Sequence, residues 1–192
     1  MTTRRQALAL ALALGGAAQQ AVVKLAHAHN DVGRVQPALP APALPLTLQD
    51  GRRSTLPRLL AGQATALQLM FTGCSATCPI QGALFGAVQR RIHGRPGVQL
   101  LSVSVDPLGD DAPAMQRWMQ QFGAGTHWRG ALPAVADVDK LFDFLRARSR
   151  EPDRHTAQVY FFNTKGELAL RSTDFPSAEQ VASMLVAAQR SV

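Results

Sequence analysis

The sequence predicts an α/β domain: one mixed sheet with a parallel strand pair and an antiparallel hairpin, covered by helices. Three observations carry this. Ala64–Phe71 and Val98–Val105 are continuous, mostly apolar runs of strand length, the pattern of strands buried on both faces. Longer segments between them suit helices, such as Val135–Arg148 with Leu141, Phe142 and Leu145 on one face. Clusters of Gly, Pro, Asn and Asp punctuate the chain between these segments.

Leu46–Leu48 and Arg53–Leu56 flank Asp50-Gly51 and read as a hairpin. The strand Ala64–Phe71 is followed by a helix from Cys78 to Ile92. Pro79 is tolerated in its first turn, where a missing N–H costs nothing, and Gly94, Pro96 and Gly97 end it. After the strand Val98–Val105 come helices at Ala112–Phe122, with Pro113 near its start, and Val135–Arg148. Gln158–Phe162 and Glu167–Arg171 are strands joined by the tight turn Asn163–Gly166. Ser177–Gln189 closes the domain as a helix, with Ser177 as N-cap and Gln180 at the reciprocal capping position. The order hairpin, β, α, β, α, α, β, β, α is that of a thioredoxin-like fold with an N-terminal β-hairpin, placed at residues 44–192.

Residues 1–28 read as an export signal. Arg4-Arg5 precedes Ala-Leu repeats from Ala7 to Leu14, and Ala26-His27-Ala28 offers a small-residue cleavage site. The adjacent arginines suggest the twin-arginine type, and the apolar run is too short to span a bilayer comfortably. The expected location is therefore periplasmic or otherwise extracytoplasmic, with cleavage favoured over anchoring. Residues 29–43 contain Pro37, Pro40 and Pro42 among alanines and read as an extended linker that packs no core. His27 and His29 read as solvated residues of this tail.

The net charge is +7, part of it from Arg4, Arg5 and Lys24 in the signal. A cluster of Arg146, Arg148, Arg150 and Arg154 precedes His155 and reads as a solvated helix end or as a patch for an acidic partner or phosphate. Without aromatic interleaving or a nucleic-acid motif, nucleic acid is not expected as a partner.

The chain has two cysteines, Cys74 and Cys78, too few for a disulfide framework. They lie between a buried strand and a helix, in the run F-T-G-C-S-A-T-C-P. A helix N-terminus presents free N–H groups and positive potential, which favour thiolate and should lower the pKa of Cys74. The C-x-x-x-C spacing lets two sulfurs converge on one ion. Soft thiolates select Cu(I), with zinc as competitor, and a third ligand is expected to be imidazole. Of the five histidines, His93 reads as a helix cap and His127, beside Trp128, as structural. His155 precedes the strand Gln158–Phe162, and in this fold the loop before that strand faces the cysteine turn.

Taken together, F-T-G-C-S-A-T-C-P, the later V-S-V-D-P and H-T-A-Q-V-Y-F-F-N-T-K-G resemble the Sco/SenC family over roughly residues 44–190. The resemblance implies a copper metallochaperone that helps assemble the dinuclear copper centre of cytochrome c oxidase, with subunit two or another apo-cuproprotein as partner, close to a membrane. It implies Cys74, Cys78 and His155 as ligands of Cu(I) or Cu(II), and Asp106 as an acidic neighbour of the site. Asp106 reads equally as a turn residue leading into the next helix. The sequence departs from the family at Gly73 and at Ser75-Ala76-Thr77 between the cysteines, which bears on the partner more than on the ligands. A second reading makes Cys74 and Cys78 the redox pair of a thiol–disulfide oxidoreductase acting on an apo-cuproprotein. A peroxidase and a structural zinc site fit less well: no activating Arg can be assigned, and only three ligands are apparent.

Overall fold

The computed structural model describes residues 32–149 and 155–191. They belong to a single compact unit that begins at Val32. An eight-stranded sheet is its spine. In chain order the strands are β1 (Gly33–Pro40), β2 (Pro45–Leu48), β3 (Arg53–Thr55), β4 (Ala64–Met70), β5 (Val98–Ser104), β6 (Trp128–Pro133), β7 (Tyr160–Phe162) and β8 (Glu167–Arg171). The helices are α1 (Leu56–Leu60), α2 (Thr77–Arg91), α3 (Ala112–Gln121), α4 (Val138–Leu145) and α5 (Ala178–Arg190), with a 3-10 turn at Val135–Asp137 ahead of α4.

Across the sheet the order is β1-β8-β7-β4-β5-β6-β2-β3. The centre, β4-β5-β6, is parallel; β7 runs antiparallel to β4 and continues into the β7–β8 hairpin. Both β4 and β5 are buried along their whole length, as their unbroken apolar runs require. Alternate residues feed two cores. Ala64, Ala66 and Met70 of β4 pack under α2, α3 and α5 with Phe85, Met115 and Leu185. Leu67 and Leu69 point the other way, to Leu59, Leu141 and Phe142 of α1 and α4. The closing helix starts as expected: the Ser177 hydroxyl accepts from the Gln180 N–H, and the Gln180 side chain accepts from the Ser177 N–H.

Four expectations need correction. The segment expected as a linker carries β1, which pairs antiparallel with β8 from Gly33–Arg171 to Pro40–Glu167. Its prolines are tolerated because an edge strand is paired on one side only. Leu56 is not a strand residue; it opens α1, capped by the Thr55 hydroxyl. A strand not foreseen, β6, lies between α3 and α4, parallel to β5. Finally, α4 stops at Leu145 rather than Arg148, because Arg146 turns left-handed (φ 53°) and the chain folds back so that Arg148 forms a β-bridge with His155.

Candidate functional site

Every strand end that matters for the site lies at one end of the sheet. The C-terminal ends of β4 and β5 meet there, and because β7 is antiparallel to β4, so does the segment entering β7. The cysteine loop follows β4, and His155 precedes β7.

Cys74 is half-buried and Cys78 fully buried, and no disulfide joins them. Ala76 occupies the N-cap of α2 but makes no side-chain capping bond, and the first turn holds no acidic residue. The sulfur of Cys74 takes that role: the Cys78 N–H donates to Cys74 Sγ at 3.3 Å. Burial pushes the Cys74 thiol up. The Cys78 thiol and the N–H groups of Cys78, Ala76 and Thr77 outweigh it and hold Cys74 below the ordinary thiol value. The helix start thus stabilises a thiolate, the form that binds soft metals and attacks disulfides.

The loop is held from below by a carboxylate that the sequence did not point to. Asp110, 8% exposed, accepts from the Thr72 N–H at 3.0 Å, the Thr72 hydroxyl at 2.5 Å and the Ser104 hydroxyl at 2.5 Å. The Val105 N–H donates to the Met70 carbonyl at 2.9 Å, extending the β4–β5 ladder to the loop's root. Asp106 has a local role: its carbonyl accepts from Gly109 and Asp110, and its carboxylate accepts from the Gly109 N–H at 3.3 Å. That is the turn-residue reading.

His155 is 3% exposed and meets Phe71 edge-on, the ring centroids 6.4 Å apart. Its Nδ1 lies 2.9 Å from the Thr156 carbonyl oxygen. A carbonyl only accepts, so Nδ1 carries the proton and the neutral ring has its lone pair on Nε2, the tautomer that metal-ligating histidines use. The Thr156 hydroxyl bonds the Tyr160 hydroxyl at 2.7 Å, and burial pushes the Tyr160 phenol up to about 12 although Thr156 opposes it.

The structure thus brings Cys74 and Cys78 together and packs His155 on Phe71, three residues before Cys74. Among the described residues, no group of three His, Cys, Asp or Glu is gathered tightly enough to hold an ion. The donor set suits copper chemically: two thiols, one already biased to thiolate, and an imidazole of the coordinating tautomer. His93 and His127 lie at the other end of the sheet, after α2 and before β6. His27, His29, Arg150 and Arg154 fall outside the described residues, as does the expected export signal. No helix among the described residues is long and apolar enough to cross a membrane.

A family model described as SCO1/SenC matches residues 41–189. Human "Protein SCO2 homolog, mitochondrial" is 29% identical over 148 residues, covering 68% of this chain and 54% of that protein. The chain therefore spans about half the length of this curated relative. The structure of Bradyrhizobium japonicum ScoI with copper bound superposes with a TM-score of 0.64 at 24% identity, covering 78% of this chain and 99% of that one. A structure that identifies a disulfide switch in BsSco, a member of the Sco family of cytochrome c oxidase assembly proteins, superposes with a TM-score of 0.66 at 17% identity, covering 83% and 99%. At these identities the structural matches establish the fold.

Proposed function

Since the chain belongs to the SCO1/SenC family, we propose that it is a copper metallochaperone whose cargo is held by Cys74, Cys78 and His155. The observation that carries this reading is the pairing of a thiolate-favouring cysteine at the start of α2 with a histidine whose Nδ1 is tied to a carbonyl. Copper capture would then draw the His155 ring from its place against Phe71 toward the two sulfurs. The recipient is cytochrome c oxidase subunit two or another extracytoplasmic cuproprotein, in keeping with the copper-bound ScoI and the assembly role given for the family of BsSco. Residues 1–28 act as an export signal, which N-terminal sequencing of the mature protein would check.

The test is copper stoichiometry by elemental analysis after anaerobic reduction and reconstitution with Cu(I), on the natural protein and His155→Ala together. One copper per chain, held more weakly by the variant, supports the three-ligand site. Equal retention by both removes His155 from it, and no binding in either removes the copper reading.

A second reading, disulfide exchange with the cysteines of an apo-cuproprotein, is favoured by the lowered pKa of Cys74 and by a second cysteine, Cys78, whose backbone N–H donates to Cys74 Sγ. Exchange needs no imidazole. Full exchange activity in His155→Ala, together with absent copper binding, would select it.

A further inference from the structure

A group of cations outside any ion pair lies at the end of this domain opposite its exposed large apolar side chains. From that separation we infer that the end remote from the cysteines is a docking face for an anionic phospholipid surface.

The parallel strands β4, β5 and β6 all begin at this remote end, and the β7–β8 turn lies there too. One group of cations is Arg58 in α1, Lys165 in the β7–β8 turn and Arg129 at the start of β6. The Gly62 N–H donates to the Thr164 carbonyl at 3.0 Å and ties the end of α1 to that turn. A second group is Arg90 and Arg91 in the last turn of α2, Arg95 in the loop that follows, and Arg190 in the last turn of α5. The Gln189 amide, which donates to the Pro96 carbonyl at 3.0 Å, ties these together.

None of these cations forms an ion pair with a described carboxylate; the cations that do are Arg52, Lys140 and Arg148. Helix dipoles account for Arg90, Arg91 and Arg190 only. The carboxylates of the strand ends and turns here are Glu167, bonded to the Asn163 amide, and Asp50 in the β2–β3 turn, paired with Arg52. A groove of about 430 Å³ between α2 and α5 brings Arg91, Arg95 and Arg190 around Ala182 and Val186, with Glu179 also in its wall.

Among the described residues, the large hydrophobic side chains that are exposed lie at the other end. They are Val32 before β1, Ile80 in the first turn of α2, Leu108 after β5, Val135 after β6 and Phe175 after β8. Protein interfaces are built around an apolar or aromatic centre, which the basic end lacks and the cysteine end has. Single-stranded nucleic acid needs exposed aromatic rings for stacking, which the basic end also lacks. A cluster rich in arginine, without an exposed large apolar side chain among the described residues, matches a plane of phosphates, which guanidinium groups engage through paired N–H donors. Bound this way, the domain carries its cysteines roughly 20 Å off the surface, the length of β4. The apolar end is left facing whatever protein approaches. This inference does not depend on the copper reading.

The test is co-sedimentation of the full chain with vesicles of phosphatidylcholine alone, or with about a third phosphatidylglycerol, at low salt and at about 0.5 M salt, where charges are screened within a few ångströms. It is run on the natural protein, on Arg91→Glu/Arg95→Glu/Arg190→Glu, and on Leu108→Asp at the opposite end. All share residues 1–31, so differences among them report the folded domain. The expected result is binding to the anionic vesicles that salt reverses, at least tenfold weaker in the triple variant and unchanged in Leu108→Asp. Arg129→Glu/Lys165→Glu gives a second reading of the same face should the triple variant fold poorly. Equal binding to both kinds of vesicle, an undiminished triple variant, or equally tight retention on double-stranded DNA would overturn it.

Discussion

Asp110 grips Thr72 through both the backbone N–H and the hydroxyl, and so fixes the residue two places before the first cysteine to the loop that follows β5. The same carboxylate takes the Ser104 hydroxyl, so three donors depend on one buried anion. Replacing Asp110 with Ala leaves those donors without their acceptor and should lower stability by about 2–4 kcal/mol, read from urea unfolding. Thr72→Val, which removes one donor only, should lose about 1–2 kcal/mol. A change within experimental error for Asp110→Ala would mean that water replaces the carboxylate and that the loop is not fixed by it.

Because the N–H groups at the start of α2 hold the Cys74 thiol below the ordinary 9.0, its reactivity should rise at a lower pH than that of a free thiol. Alkylation by iodoacetamide, followed by peptide mapping to separate Cys74 from buried Cys78, reads this directly. Between the folded and the ordinary value the unfolded chain holds a proton that the native chain has shed. Stability therefore rises with pH across that window, and this contribution is lost as pH falls through the folded value. A half-rise at or above 9.0 would contradict the sulfur's place at the helix N-cap.

Tyr160 gives the opposite sign at alkaline pH. Its phenol is pushed up to about 12, so between 10 and 12 the native chain keeps a proton that the unfolded chain loses. Stability should fall with rising pH through that range. Tyr160 is the single tyrosine of the chain, so phenolate absorbance follows it alone. Ionisation near 10 in the folded protein would show that the Tyr160–Thr156 pair is open to water.

Gln81 lies one turn after Cys78 on the same face of α2 and is 1% exposed, yet neither its amide nitrogen nor its oxygen has a hydrogen-bond partner among the described residues. Gln81→Met keeps the volume and removes the buried polar atoms. It should stabilise the protein by about 1–2 kcal/mol in urea unfolding. Destabilisation would mean that the carboxamide is satisfied by an internal water.

At Gly86, also in α2, an added Cβ would stand 2.7 Å from the Phe122 carbonyl oxygen. Alanine gains about 1 kcal/mol of helix propensity. Forcing backbone apart costs about 1–3 kcal/mol. Gly86→Ala should therefore lower the midpoint of thermal unfolding, with copper stoichiometry unchanged. A raised midpoint would show that α3 moves aside freely.

Much of this architecture was legible in the sequence, for identifiable reasons. Strands β4 and β5 are buried on both faces, so their residues could only be a continuous apolar run. The start of α5 was legible because capping is local chemistry between Ser177 and Gln180. Strand β6 was missed because Gly130 and Pro133 interrupt its pattern. The Gly130 position is explained by tertiary packing: a Cβ there would sit 2.5 Å from the Met119 sulfur. Strand β1 was missed because prolines argue against a strand unless it lies at an edge, and its place at the edge follows from β8. At the site, the cysteine spacing pointed to Cys74 and Cys78, and chain order pointed to His155. The grip of Asp110 on Thr72 depends on the β4–β5 register, which no local signal encodes. Asp106 drew attention through its Asp-Pro pair, which marks a turn in this chain.

The placement of the cysteine loop against the two fully buried strands has a consequence for how the protein breathes. Amide hydrogens in β4 and β5, buried along their whole length, should be among the last to exchange, whereas β1 and β3, at the margins of the sheet, should open more readily. The loop bearing Cys74 is rooted in the two fully buried strands and reaches into solvent for only a few residues. Fraying at either margin should therefore leave the two sulfurs in place relative to each other.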